Sequence, residues 1–193
     1  SIGNHKRNLA SRTAGSRIRS LYLSSSCLVR CNSFPIANFE VMPQLVLINP
    51  QIPPNTGNIA RTCAATRTQL HLVRPLGFEL TDRYLKRAGL DYWPYVKLQV
   101  HDSIAAFMEF RLQQPGRWVG FSIRGTCNHF QFQFQPDDWL LFGSETDGLP
   151  TTIIEQCDAT VYIPMSEPGV RSLNLSVSAA VGLFEANRQL NVT

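Results

Sequence analysis

Short apolar runs alternate with helix-like segments along the chain from Gln44 onward. The runs are four to six residues long, rich in Val, Leu, Ile and Trp, and bounded by loops crowded with Pro, Gly, Asn and Ser. Such runs are typical of strands buried on both faces, and strands alternating with helices predict an α/β layer fold with a mostly parallel sheet. Ligands of such folds gather in loops beyond the carboxyl ends of the strands.

The apolar periodicity and the turn residues set the expected bounds of each element. Strands are predicted at residues 45–48, 70–73, 96–100, 118–123, 139–142 and 160–164, and helices at residues 55–67, 82–89, 103–114, 150–157 and 172–190. Polar residues that suit N-caps stand before several helices, namely Asn55 or Thr56, Thr81 or Asp82, Asp102, and Ser172 or Asn174. The alternating segment 130–134, FQFQF, is expected to be an edge strand or an extended loop.

Charge and composition divide the chain near Met42. Residues 1–41 hold six basic residues and one acidic residue, a net charge of +5, whereas residues 42–193 hold 12 basic and 13 acidic residues. The first segment is rich in Arg and Ser, which is typical of an organellar transit peptide for a chloroplast or mitochondrion. A disordered tail, translated upstream sequence or an RNA-binding arm are the alternatives, and the protein would then be cytoplasmic. Residues 42–193 form the predicted globular domain.

Several classes of protein lose support from the sequence. No run of 18 apolar residues is present, so no transmembrane helix and no membrane partner are expected. The five cysteines form no C-x-x-C pair and no His-bearing set with metal-ligand spacing, which predicts reduced thiols and no metal site. Walker A, G-x-S-x-G, H-E-x-x-H and G-x-G-x-x-G motifs are also lacking.

Three loops that follow predicted strands carry unusual polar residues: NPQIPPNTGN, GSETDGLP and MSEPGVRS. The third loop leads into the last helix, whose free N–H groups and positive dipole end suit a carboxylate or phosphate. Each loop also has an ordinary explanation, because Ser172 can simply cap a helix and Glu145 can be a surface acid in a turn. Taken singly, each loop leaves both a structural and a binding role open.

Taken together and in order, the segments resemble the motifs of one family. NPQIPPNTGNIARTCAAT, RAGLDYW, LLFGSETDGLP and IPMSEPGVRSLNLSVSAAVGLFEA are similar to motifs of the SPOUT superfamily of RNA methyltransferases. More narrowly, they resemble the tRNA (cytidine/uridine-34-2′-O)-methyltransferase subfamily, which methylates the ribose 2′-OH of the wobble nucleotide. The resemblance covers about residues 42–191.

The resemblance implies a parallel sheet with a deep trefoil knot at its C-terminal end, an exception to the rule against threaded chains. It also implies S-adenosylmethionine as the cofactor, bound in the knot. Backbone groups of Phe121, Gly143 and Ile163 are expected to meet the adenine and ribose edges. The cofactor-binding positions implied by the family motifs are Phe121, Ser122, Gly143, Glu145, Ile163, Met165, Ser172 and Asn174.

The family's catalytic arginine matches Arg61, and Asn55, Ser172 and Asn174 are implied as further catalytic residues. A guanidinium almost never loses its proton in a protein, so two roles stay open for Arg61. It is either the general base or a group that holds the neighbouring phosphate and stabilises alkoxide charge.

Arg83, Lys86 and Arg87 are expected to face tRNA, although a solvated helix face would explain them too. The resemblance also implies a homodimer with the site completed across the interface. Small residues on the last helix suit such an interface or a tight core: Ser176, Ser178, Ala179, Ala180 and Gly182. The segments EPGVR and FQFQF depart from bacterial relatives. A related enzyme acting on rRNA or another tRNA position, and a non-catalytic RNA-binding protein, are the alternative functions.

Overall fold

The computed structural model describes residues 42–80 and 92–192. Seven strands, four α-helices and one 3-10 turn, Trp93–Tyr95, follow one another in this part of the chain. The strands are β1 (Gln44–Ile48), β2 (Gln69–Val73), β3 (Lys97–His101), β4 (Trp118–Phe121), β5 (Cys127–Asn128), β6 (Trp139–Phe142) and β7 (Ala159–Tyr162). The helices are α1 (Pro53–Thr66), α2 (Ile104–Arg111), α3 (Thr151–Ile154) and α4 (Leu175–Leu190). The helix predicted at residues 82–89 lies outside the described residues.

All seven strands belong to one sheet in the order β3-β2-β1-β6-β4-β7-β5, and every neighbouring pair is parallel. The predicted α/β class is therefore confirmed. In strands β4 and β6 every residue is buried, as expected for strands covered on both faces. The carboxyl ends of β6, β4 and β7 lie side by side. This adjacency brings the loops after these three strands to one edge of the sheet. The knot itself stays a prediction from the resemblance.

Two buried clusters cover the two faces of the sheet, because successive residues of a strand point to opposite sides. Leu45 and Leu47 of β1 face one cluster, which includes Ile59 of α1 and Leu183 of α4. Val46 and Ile48 face the other cluster, which contains four aromatic or aliphatic anchors from α2, β4, β6 and α3. These anchors are Phe107, Trp118, Trp139 and Ile153.

Helix α1 begins earlier than predicted. Neither Asn55 nor Thr56 caps it: Ile52 is the N-cap, and Pro53 and Pro54 occupy the first two helical positions. Proline is well suited to the first turn, since its backbone nitrogen has no hydrogen to leave unsatisfied there. Asn55 and Thr56 lie inside the first turn and are buried, and the Asn55 side chain makes hydrogen bonds to Glu145 and Asn174 instead of capping the helix.

The N-caps predicted for α2 and α4 have different outcomes in the structure. Ser103, and not Asp102, caps α2, because its hydroxyl oxygen accepts a hydrogen bond from the backbone N–H of Ala106 at 3.1 Å. Asp102 instead lies at the surface, 3.6 Å from Arg74 Nε. Asn174, one of the two candidates, caps α4 and accepts from the backbone N–H of Ser176 at 2.8 Å. Ser172 lies in the loop before it.

Some predicted bounds were too long. Helix α2 ends at Arg111, helix α3 is a single turn, and strands β4 and β7 end at Phe121 and Tyr162. The segment 130–134 is a loop with turns, which is one of the two predicted alternatives. The edge strand is the short β5 just before it. Gln189 of α4 replaces strand pairing there, because its side-chain amide binds the backbone of Phe134 at 3.0 Å and of Phe132 at 2.9 Å.

Two of the five small residues of α4, Ala179 and Gly182, belong to the core of the same chain. Ala179 and Gly182 are buried against the sheet, and a Cβ built on Gly182 would lie 2.6 Å from Cζ of Phe121. The close approach of α4 to β4 therefore depends on this glycine. Within residues 42–80 and 92–192, no helix is long and apolar enough to cross a membrane.

Candidate functional site

One cavity of about 490 Å³ lies at the carboxyl edge of the sheet. It is lined by the loops after β4, β6 and β7, by the first turn of α4, and by Ile52 and Asn55 of the loop and helix after β1. All three loops that the sequence singles out therefore contribute to the same cavity. Its volume lies within the usual range for small-molecule sites, about 300 to 1,000 Å³.

The structure brings together every position at which the family motifs place the cofactor. All of them line this cavity, namely Phe121, Ser122, Gly143, Glu145, Ile163, Met165, Ser172 and Asn174. Their common location follows from the strand order, because residues far apart in the sequence follow neighbouring strands. Their part in binding stays a prediction.

The floor of the cavity is apolar. The Phe121 ring stacks on Phe142 with centroids 4.5 Å apart and an angle of 20° between planes. Val161 belongs to the same buried cluster, and Val161 and Leu149 are buried and also line the cavity. Gly182 lets α4 lie directly against the Phe121 ring, which fixes this ring from behind. The result is a preformed apolar surface with room for a flat group.

The loop after β6 is closed by two glycines. Ser144 and Gly148 exchange backbone hydrogen bonds of 3.1 and 3.0 Å, and Gly148 has a φ of 70°, which favours glycine. A Cβ built on Gly143 would lie 1.9 Å from the carbonyl carbon of Gly148. Gly143 is therefore required by the loop itself, so a side chain there disrupts the turn before it reaches any ligand.

The carboxylate of Glu145 ties this loop to the loop after β1. One oxygen accepts from the backbone N–H of Gln51 at 2.8 Å. The other accepts from the backbone N–H of Ile52 at 3.2 Å and from Asn55 Nδ2 at 2.9 Å. The negative charge also lies at the positive end of α1, where it is favourable. Glu145 thus satisfies the helix start that no local side chain caps.

Asn55 continues the chain of hydrogen bonds to the third loop. Its Oδ1 accepts from Asn174 Nδ2 at 3.0 Å, and Asn174 Oδ1 accepts from the N–H of Ser176. Both amide orientations are fixed by chemistry, because a carboxylate only accepts at one end and a backbone N–H only donates at the other. Asn55 is 6% exposed. Its buried amide therefore positions three loops relative to one another.

Arg61 is not part of the cavity wall. It lies on the exposed side of α1, with its guanidinium carbon 4.7 Å from the centroid of the Tyr92 ring. Tyr92 is held in turn, since its hydroxyl donates to the carbonyl of Gly57 at 3.2 Å. Within one chain, Arg61 is therefore not among the described residues that line the cavity. Arg83, Lys86 and Arg87 lie outside the described residues.

Sequence reasoning missed two cations that line the cavity, Arg124 after β4 and Arg171 before α4. Both follow the carboxyl end of a strand, which is the signal that could have identified them. Two cysteine thiols, by contrast, have a structural role. Burial raises the pKa of both Cys63 and Cys157 to about 12, so neither is a nucleophile at neutral pH. Within the described ranges, no three His, Cys, Asp or Glu side chains are grouped to hold a metal ion.

Comparison with known proteins assigns the chain to a family. The profile of the SpoU rRNA Methylase family matches residues 42–184. The tRNA (cytidine(34)-2′-O)-methyltransferase of Burkholderia ambifaria is 47% identical, over 77% of this chain and 96% of its own. A Synechocystis protein to which the same activity is attributed is 61% identical, over 77% of this chain and 97% of its own.

Solved structures of related proteins agree with this family assignment. A chain from a study of the 2-OH methylation of C/U34 on tRNA is 50% identical, with a TM-score of 0.73 over 78% of this chain and 97% of its own. The SpoU methyltransferase AviRb of Streptomyces viridochromogenes, solved with the cofactor AdoMet, is 28% identical. Its TM-score is 0.70 over 78% of this chain and 58% of its own. By its sequence and its fold, the chain belongs to the SpoU rRNA methylase family.

Proposed function

We propose that this protein methylates the ribose 2′-OH of the wobble nucleotide of tRNA, position 34, with S-adenosylmethionine as methyl donor. The nucleotide is cytidine or a modified uridine. The observation that carries the proposal is the cavity at the carboxyl edge, in which all the positions of the family motifs for the cofactor meet. The identity of 47% to a relative named for this activity supports the choice of position 34.

The residues of the cavity fit S-adenosylmethionine. The stacked rings of Phe121 and Phe142 give an apolar surface for a purine, and the backbone groups around Gly143 and Ile163 supply hydrogen bonds at its edge. Ser122 and Ser172 add hydroxyl groups that can meet a ribose. When bound, the cofactor supplies an electrophilic methyl group on a sulfonium sulfur, which the 2′-oxygen attacks while its proton leaves.

The protein's own contribution is to hold and to desolvate the reacting groups. The Glu145–Asn55–Asn174 chain fixes the loops that border the cavity, so that the 2′-oxygen can be held in line with the methyl group. The apolar floor limits water, and a less polar site favours a transfer that removes the sulfonium charge. Asn55 takes a positioning role, because its carbonyl oxygen and one amide hydrogen are used within the protein.

Arg61 completes the site from a second copy of the chain. This homodimer explains why a catalytic arginine lies on the exposed side of α1, away from the cavity of its own chain. Apolar side chains on the outer face of α4 support a partner there: Val177 is 47% exposed and Phe184, two turns later, is 51% exposed. The arginine then holds the phosphate or the developing alkoxide, or it takes the proton.

The test of this function is mass-spectrometric mapping of 2′-O-methyl groups in RNA from cells that lack the protein. Loss of methylation at position 34 is expected, with restoration by the wild-type gene. Unchanged methylation at position 34, or loss in rRNA alone, rules out the proposed substrate. Purified protein should also bind S-adenosylmethionine in calorimetry, which tests the cofactor separately.

The Arg- and Ser-rich composition of residues 1–41 supports a proposed transit peptide, and a tail without a targeting role on a cytoplasmic protein is the alternative. A fluorescent reporter fused to these residues tests the prediction. Accumulation in a chloroplast or mitochondrion is expected, and a diffuse cytosolic signal contradicts targeting.

A further inference from the structure

Two arginines stand at the cavity without a place in the chemistry described so far. Arg124 belongs to the loop after β4, and Arg171 belongs to the loop between β7 and α4. Both line the cavity, and both side chains are exposed. Each has an exposed aliphatic neighbour that also lines the cavity: Ile123 is 64% exposed and Leu173 is 36% exposed. These four residues are called the cavity rim.

Within the described part of the chain, no side chain or backbone group binds either guanidinium group. Among residues 42–80 and 92–192, neither of them donates a hydrogen bond or forms an ion pair. Two acids that line the same cavity accept hydrogen bonds from other groups. Glu145 accepts three N–H groups from the loop and helix after β1, and Asp147 accepts from the hydroxyl of Thr146 at 2.9 Å. The rim therefore presents positive charge that is available to a ligand.

The chemistry of the rim suits a nucleotide within a strand of RNA. A guanidinium is a planar fork of donors that binds phosphate through two hydrogen bonds at once. A nucleotide whose ribose enters the cavity carries one phosphate on its 5′ side and one on its 3′ side. We propose that Arg124 and Arg171 bind these two flanking phosphates, while Ile123 and Leu173 pack against the sugar or base between them. This inference rests on the proposed function, since it concerns the RNA substrate of the same cavity.

The cofactor is the less suitable ligand for the two arginines. S-adenosylmethionine carries a sulfonium, an ammonium and one carboxylate, so its net charge is positive. Two guanidinium groups would repel that net charge, whereas two phosphates attract them. The exposed aliphatic neighbours also place both arginines at the mouth of the cavity and not on its apolar floor. Phosphate recognition at the mouth leaves the floor to the cofactor.

Arg124→Ala, Arg171→Ala and the double variant test the inference in the purified full chain. Binding of tRNA is measured by filter retention across a series of KCl concentrations, and binding of S-adenosylmethionine is measured by calorimetry. Each single variant should weaken tRNA binding roughly tenfold, as expected for a hydrogen-bonded charge pair. Each should also reduce the slope of log K against log[KCl] by about 0.7, the value for one phosphate of a single strand. Cofactor affinity should stay within about twofold of the wild type.

Two matched variants sharpen the result. Lys97 is an exposed cation at the start of β3, the outermost strand on the side of the sheet away from β4 and β7. Lys97→Ala should therefore leave tRNA affinity and salt slope unchanged. Arg171→Lys keeps the charge but loses the fork, so it should restore the salt slope while recovering only part of the affinity. Melting temperatures confirm that each variant is folded.

The outcomes separate this inference from the function on which it rests. Unchanged tRNA affinity and slope in the double variant overturns the phosphate contacts, even when the wild type methylates position 34. Loss of cofactor affinity in either variant also overturns them and assigns the arginine to the cofactor. Conversely, the salt slope can depend on the two arginines although the protein does not methylate position 34. That result supports the phosphate contacts and contradicts the proposed activity.

Discussion

At the scale of single residues, the Asn55 side chain joins two loops that lie far apart in the sequence. Its amide lies between the Glu145 carboxylate at 2.9 Å and Asn174 Nδ2 at 3.0 Å. A buried donor or acceptor that loses its partner costs more free energy than the hydrogen bond contributes when formed. Removal of the Asn55 side chain takes one partner from a Glu145 oxygen, which keeps the N–H of Ile52, and one from Asn174 Nδ2. Stability and catalysis are therefore linked at this position.

Asn55→Ala is expected to lower the free energy of unfolding by about 1 to 3 kcal/mol, because one Glu145 oxygen and the Asn174 amide lose a partner. Urea denaturation measures this change. Asn58→Ala is the matched control, since Asn58 is exposed on the same helix, and its effect should stay below about 0.5 kcal/mol. Equal effects of the two substitutions would contradict the positioning role. Methylation by Asn55→Ala should fall further than its stability loss explains.

A second residue-scale prediction concerns the buried pair His71 and His101, whose ring nitrogens Nδ1 and Nε2 lie 3.0 Å apart. Burial lowers the pKa of His71 to about 3, with the charge of His101 as a smaller cause, and burial lowers the pKa of His101. Below about pH 6.5 the unfolded chain binds protons that the folded chain does not. Stability is therefore complete above pH 6.5 and declines as the pH falls toward 3.

The expected loss from His71 is about 2 kcal/mol between pH 6.5 and pH 5, at about 1.4 kcal/mol for each pH unit. Urea denaturation at pH 7.5, 6.0 and 5.0 measures it. His71→Gln should flatten this dependence, because the uncharged amide takes up no proton in the unfolded chain. A variant as pH-sensitive as the wild type would place the effect on other groups.

At the scale of elements, the turn after β6 depends on glycine for its closure. Gly143→Ala brings a Cβ to within 1.9 Å of the Gly148 backbone, which cannot move without breaking the bridge between Ser144 and Gly148. A loss of about 3 kcal/mol or more is expected from such overpacking, together with loss of cofactor binding. Thermal unfolding and calorimetry measure the two effects.

Gly169→Ala is the matched control for this prediction. Gly169 lies in the loop before α4, and a Cβ there would meet only the flexible carboxylate end of Glu167 at 3.2 Å. Its stability and cofactor affinity should stay close to those of the wild type. If Gly143→Ala binds the cofactor as the wild type does, the turn is not what forms this wall of the cavity.

Elements dominated by local apolar pattern were predictable from the sequence, and those decided by distant partners were not. Strand β6 was predicted to the residue, and β1 and β2 to within one residue, because they are continuous apolar runs. The predicted start of α1 was wrong, since the backbone N–H of its N-cap residue, Ile52, is bound by the side chain of Glu145, 93 residues away. The hydrogen bonding of segment 130–134 was equally unpredictable from the sequence, because its partner Gln189 lies in the last helix.

The cavity was predictable at a coarser level for the same reason. In a parallel sheet, the loops after neighbouring strands share one edge, so motifs placed after strands must meet if those strands are neighbours. The strand order that makes β6, β4 and β7 neighbours is not a local property. Arg124 and Arg171 therefore became visible only when the loops were seen together. The position of Arg61 outside the cavity was likewise not accessible from its motif.

At the scale of the whole molecule, the separation of Arg61 from the cavity has one direct consequence. If each site takes Arg61 from the partner chain, two inactive variants can restore one another. Arg61→Ala removes the arginine and keeps the cavity, whereas Ser122→Trp fills the cavity and keeps the arginine. Mixed dimers then contain one complete site. After joint refolding of equal amounts, half of the dimers are mixed, so about a quarter of wild-type methylation is expected.

Phe184→Asp, a substitution on the exposed face of α4, tests whether this complementation depends on the proposed dimer. The charge should keep the chains apart, so light scattering is expected to give the mass of one chain in place of two. Methylation should fall with the dimer, because Arg61 then has no partner site to enter.

Activity restored by the mixture of Arg61→Ala and Ser122→Trp requires the arginine to act across the interface, since no chain in it holds both an open cavity and its own Arg61. A mixture as inactive as its components, in a protein that is dimeric, would instead place Arg61 in the site of its own chain.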